Sequence, residues 1–173
     1  MANMREKYAR AFAIQGASDF RLYQNVLCKS DEVETCHKLH YLQMACEKIA
    51  KAYMCKDENI AISKIITSHV AFSRFIEGYM RSPLISELYN EKINVLSGRI
   101  KQFKSLAREI ELLAPAVDQQ NNPHNSEYPW KSGNDIIIPC EYSFSQLRIL
   151  SPTPATNDFL RIIKIAIENA QTS

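Results

Sequence analysis

The chain has 173 residues, 46% of them apolar and 23% charged; these proportions exclude a disordered polymer and supply enough apolar surface for one sizeable core. A formal net charge of +2 excludes a strong overall pull toward nucleic acid or anionic membranes, so any such contact must come from a local patch. Only four glycines occur, and long stretches lack both Gly and Pro, which predicts helices and excludes a turn-rich all-β fold. The charged segment Met1–Arg10 has no apolar core like that of a signal peptide, and no apolar run approaches the roughly 20 residues of a membrane helix. Cys28, Cys36, Cys46, Cys55 and Cys140 are odd in number and unevenly spaced, which reads as reduced thiols in a cytoplasmic protein.

The first helix is predicted from about Arg5 to Leu27, where Tyr8, Phe12, Gly16, Phe20, Tyr23 and Leu27 form one apolar stripe. Gly16 weakens that helix but lets a neighbouring backbone come close. A second helix, about Glu32 to Lys56, places Leu39, Leu42, Cys46, Ile49 and Tyr53 on one face beside the small residues Ala45 and Ala50. Glu47 and Lys51 stand one turn apart on its flank in the favourable order. A third helix, about Ile62 to Met80, aligns Ile65, His69, Phe72, Ile76 and Tyr79.

Arg81-Ser82-Pro83 is a clear break: Ser82 suits a cap, Pro83 a first helical position, and Glu87 the positive end of the dipole. From there Tyr89, Ile93, Leu96, Ile100, Phe103, Ala107, Ile110 and Ala114 make a heptad-like seam that Pro115 should end. Its length predicts a symmetric homodimer. Residues from about Ala116 to Thr156 read as irregular. Within them Gln119–Asn125 is polar and mobile, Glu127–Trp130 and Ile136–Pro139 are extended, and Cys140, Tyr142 and Phe144 alternate as in a strand. Any strand should fall within about residues 128 to 145. The last helix, about Asn157 to Ala170, carries Phe159, Ile162, Ile163, Ala166, Ile167 and Ala170 on one face. The fold class expected is all-α: one domain over residues 1–173, an antiparallel bundle of about four main helices with a long connector before the last. Leu42, Cys46, Ile49, Leu96, Ile100 and Phe103 should be buried.

The segment His40-Tyr-Leu-Gln-Met-Ala-Cys-Glu-Lys-Ile-Ala-Lys51 resembles the signature helix of HEPN domains, which carry Gln, Ala, Glu-Lys and Lys at these intervals. Ala17-Ser-Asp-Phe20 is similar to that family's first helix, His69 stands where the family often has a histidine, and Tyr128-Pro129 resembles a Tyr-Pro before its last helix. The resemblance implies a dimerising helical bundle. It also implies either a ribonuclease of toxin–antitoxin, CRISPR or antiphage systems, or the partner of a minimal nucleotidyltransferase. Active members use an Arg followed a turn or so later by a His, paired across the dimer. No arginine precedes His37, His40, His69 or His124 at that spacing, and Glu127 stands where many members have Arg before Tyr-Pro.

Histidine is the natural acid or base for RNA cleavage, and His69, with Arg74 a turn and a half later, is the best-placed candidate. Its place on an apolar stripe favours a hydrogen-bonded core histidine. His124, in the polar loop, is a second candidate. Cys36 and His40 have a two-ligand spacing for zinc, but nothing nearby completes a site, so neither metal nor cofactor is expected. Lys101, Lys104 and Arg108 share a helical face suited to phosphate or RNA, although Glu109 and Glu111 follow at once and a solvated face is the plainer reading. Glu127, Tyr128 and Trp130 read as a packing clamp or, more sharply, a partner surface. The functional expectation is a non-catalytic module that dimerises or binds a defence-system partner, with no membrane role; the alternative is a divergent ribonuclease.

Overall fold

In the computed structural model, which describes residues 3–89, 93–118 and 120–172, helix α1 (Met4–Asn25) starts from a reciprocal cap. The Asn3 side chain accepts from the Glu6 backbone N–H, and the Glu6 carboxylate accepts from the Asn3 N–H, both at 2.9 Å. Helix α2 (Thr35–Met54) lies along α1 in the most extensive packing of the fold. Arg5 donates to the carbonyls of Asp57 and Ile60 at 2.8 Å, the Lys51 ammonium lies 5.7 Å from the Phe12 ring, and Asp19 meets Lys48. The start of α1 thus faces the end of α2, so the pair is antiparallel. Gly16 permits the approach as expected: a Cβ there would stand 3.3 Å from the Ala45 carbonyl oxygen.

The predicted third helix is two. Helix α3 (Ile62–Thr67) ends at Ser68, whose backbone is extended, and α4 (Phe72–Met80) begins four residues later. Distant polar groups make the break. The Lys51 ammonium donates to the Ile66 carbonyl at 2.9 Å, and Glu111 accepts from the Ser73 backbone N–H and hydroxyl, both at 2.8 Å. Glu111, 3% exposed, therefore caps the positive end of α4.

The long predicted helix is described in two parts, α5 (Pro83–Tyr89) and α6 (Ile93–Glu111), and residues 90–92 between them lie outside the described residues. The Ser82 carbonyl, not its hydroxyl, receives the first bonds of α5, and the buried hydroxyl has no hydrogen-bond partner among the described residues. Helix α6 stops before Ala114, where the chain tightens into i,i+3 turns at Leu113 and Ala114. It runs antiparallel to α4, because Ser73 meets Glu111 and Glu77 meets Lys104. Ile100, Phe103, Ala107 and Ile110 are buried, as are Leu42, Cys46 and Ile49, but Leu96 is only partly covered because it lies past the end of α4. The side chain of Ile93 lies outside the described residues. The buried part of the seam thus belongs to the chain's own core and offers no spare surface for a second copy.

Within the connector, Trp130–Ser132 (β1) and Asp135–Ile137 (β2) form an antiparallel hairpin pairing Trp130 with Ile137 and Ser132 with Asp135. Gly133 turns it at φ 61°. Both strands fall inside the expected window. The alternation at Cys140, Tyr142 and Phe144 is not a strand: Pro139–Glu141 is a 3₁₀ turn and Phe144 has φ 51°, which drives its ring into the core. Gln119 lies outside the described residues.

Helix α7 (Pro154–Thr172) begins three residues earlier than expected. The Thr156 N–H donates to the Thr153 hydroxyl at 3.2 Å, the Thr153 N–H to the Thr156 hydroxyl at 2.9 Å, and Pro154 takes the first position. The fully buried Phe159, Ile162, Ile163 and Ala166 make α7 the spine of the core, with the Phe159 ring 5.4 Å from Phe103 and 6.2 Å from Phe72. The architecture is a mostly all-α bundle with one small hairpin. Among the described residues no helix is long and apolar enough to cross a membrane.

Candidate functional site

The polar side chains of α2 that carry the family resemblance converge. Gln43, Glu47 and Lys51 stand at i, i+4 and i+8, which puts them on one face. Glu47 accepts from Lys51 through Oε1 at 2.7 Å and from Gln43 through Oε2 at 3.1 Å, and the same Oε2 lies 3.1 Å from Nδ1 of His69. Burial alone would raise the Glu47 carboxyl; hydrogen bonds from Lys51 and His69, and their charges, outweigh it and hold the carboxyl below its ordinary value. Lys51 is 5% exposed and is satisfied by Glu47 and the Ile66 carbonyl. Asp19 and Lys48, also resemblance positions, meet at 2.5 Å across α1 and α2.

His69 is therefore not the core histidine of an apolar stripe. Its side chain is 43% exposed, in the link between α3 and α4, because the helix that would have carried it inward breaks there. It closes one side of a small depression beside Glu47 and Phe72, whereas Arg74 points to a different groove; the structure does not bring the candidate pair together. His124 is partly covered. Its ring stacks on Tyr142 with centroids 5.5 Å apart and meets Trp130 edge-on, so it is built into the connector's aromatic cluster.

Trp130 is 5% exposed and belongs to that cluster, not to a surface; Glu127 and Tyr128 face solvent. The buried Asn125 sets this geometry and was not singled out by sequence, although Asn in a polar stretch is a turn signal. Its side-chain oxygen accepts from the backbone N–H groups of Glu127 and Tyr128 at 2.9 and 2.7 Å. Glu127 lies 3.4 Å from Nδ1 of His40, without hydrogen-bond alignment.

Of the basic face on α6, Lys104 pairs with Glu77, and Arg108 with Glu111 at 3.2 Å; Lys101 is exposed and has no carboxylate partner among the described residues. That pairing leaves little free charge for a phosphate backbone. All five cysteines are free thiols. Among the described residues no three His, Cys, Asp or Glu side chains gather closely enough to hold a metal ion.

Sequence reasoning missed an apolar groove of about 840 Å³ between the end of α2, α4 and the end of α7. Its floor is a three-ring cluster: Tyr53 lies 4.7 Å from Phe75 and 5.4 Å from Tyr79, and Phe75 lies 5.3 Å from Tyr79. The Tyr53 hydroxyl donates to the Ala166 carbonyl at 3.1 Å, and the Tyr79 hydroxyl accepts from Asn169 at 2.8 Å. Burial, then neighbouring Tyr79, push the Tyr53 hydroxyl well above the ordinary phenol range, so it stays a neutral donor. Tyr53 and Tyr79 sit on helical stripes that read as plain core, which hid the groove.

Compared with known proteins, the chain matches no family model, and neither a curated protein nor a solved structure matches it.

Proposed function

We propose that this chain is a HEPN-like helical module that works by binding, as a homodimer and as partner of a toxin–antitoxin or antiphage protein, without cutting RNA. The observation that carries this reading is the convergence of Gln43, Glu47, Lys51 and His69. The polar residues shared with the HEPN helix are spent on holding α2 to the α3–α4 link, and the histidine faces a carboxylate where a nuclease needs an arginine. Glu127 adds negative charge beside Tyr128-Pro129 and would repel an RNA backbone. Purified protein is therefore expected to leave single-stranded RNA and transfer RNA intact without added metal. Cleavage that disappears in His69→Ala or His124→Ala, with helicity unchanged, would restore the ribonuclease reading.

The seam of α6 is used internally, so association needs another surface, and the connector hairpin supplies one. Ile136, 64% exposed, lies in a two-stranded sheet whose outer edges pair with no other strand among the described residues, and Tyr128 and Ile138, 60% and 42% exposed, flank its strands. Such an edge favours strand addition by a second copy about a two-fold axis. Sedimentation at micromolar concentration is expected to give about twice the 19.8 kDa chain mass. Placing lysines at Ile136 and Ile138 should return the monomer. A wild-type monomer throughout that range would remove dimerisation from the proposal.

A further inference from the structure

We infer that the groove between α2, α4 and α7 is a binding site for a small amphiphilic carboxylate, whose apolar part lies on Tyr53, Phe75 and Tyr79 and whose acid group faces Lys64 and Arg74. The site requires neither the dimer nor the HEPN reading. Its volume, about 840 Å³, falls within the roughly 300–1,000 Å³ of small-molecule pockets. The floor is preformed, because Tyr53 and Tyr79 are anchored through their hydroxyls to α7 and the rings brace one another. Val70 and Leu84, 53% and 47% exposed, extend the apolar lining to the rim.

Charge selects the ligand class. Lys56, Lys64 and Arg74 line the groove against a single acid, Asp57, whose carboxylate already accepts from the backbone and side chain of Asn59. Lys56 holds its ammonium 4.8 Å from the Tyr53 ring, at the apolar floor itself. Lys64 and Arg74 have no carboxylate partner among the described residues, whereas Lys48, Lys51, Lys104 and Arg108 each have one. An uncompensated cationic rim over an aromatic floor fits an anion with an apolar tail and disfavours a cation of the same shape. The buried Ser82 hydroxyl, without a hydrogen-bond partner among the described residues, adds a polar group to the same lining.

The test is a fluorescence titration of the full chain with anilinonaphthalene sulfonate, competed by dodecanoate or by dodecylamine below their micelle concentrations. Dodecanoate is expected to displace the dye, with dodecylamine weaker by about tenfold or more. Gly78 lines the groove and a Cβ there meets nothing within 4 Å, so Gly78→Phe fills the space without straining α4. That variant should weaken dodecanoate by about tenfold or more with circular dichroism unchanged. Should it unfold, the exposed pair Lys64→Glu with Arg74→Glu decides, and is expected to weaken dodecanoate while leaving neutral dodecanol unaffected. The proposal is overturned if dodecanoate does not bind, if dodecylamine binds as well, or if these folded variants keep wild-type affinity. Absence of binding would leave the groove to a protein segment.

Discussion

Glu47→Ala is expected to lower folding stability by about 3–5 kcal/mol, the cost of leaving a buried charge without its partner. Lys51 is 5% exposed, and its ammonium would keep only the Ile66 carbonyl and the face of Phe12. The reverse truncation should cost less: in Lys51→Met the Glu47 carboxylate retains Gln43 and His69 and its own partial exposure. Urea denaturation of the two variants gives the comparison directly. A Glu47→Ala loss below about 1 kcal/mol would mean that the network behaves as a surface pair.

The same carboxylate has a pH signature. Its native value lies below the ordinary 4.5, so the unfolded chain takes up its proton first as acid is added. The stability it contributes is fully present above pH 4.5 and is lost as pH falls through the native value. The gap between wild type and Glu47→Gln should therefore close in acid. A gap that widened in acid would reverse the sign of the assignment.

Phe103→Ala is expected to cost about 3–5 kcal/mol, since the ring is fully buried and the cavity would open beside Phe159 at the centre of the core. Leu96→Ala, seven residues earlier on the same helix, should lose less than about 2 kcal/mol because the side chain is already partly exposed. Thermal or urea unfolding of the pair separates a seam buried along its whole length from one covered only where α4 reaches. Equal losses would favour the former.

The sequence by itself determined the elements whose signal is local. Repeats of apolar residues at helical spacing marked α1, α2, the buried part of α6 and α7, because side chains three and four apart on a helix share a face whatever surrounds them. Gly16 announced a close approach of backbones, and the Ala45 carbonyl is there. Thr153-Pro154 was also a local start signal, yet the apolar face that set the expected start begins only at Phe159. What tertiary structure alone decided depends on groups far apart in the chain. Lys51 and Glu111 compete for the backbone of residues 66 and 73 and break a helix whose periodicity ran unbroken. The same break frees His69 from the core and sets it beside Glu47, twenty-two residues earlier. Tyr53 and Tyr79 read as ordinary core positions on their own helices, and Phe75 stood off the predicted stripe. The three rings become the floor of a groove because no other element among the described residues covers the space between α2, α4 and α7. Periodicity states which face of a helix is apolar, while the number of neighbours that reach that face is a property of the assembled bundle.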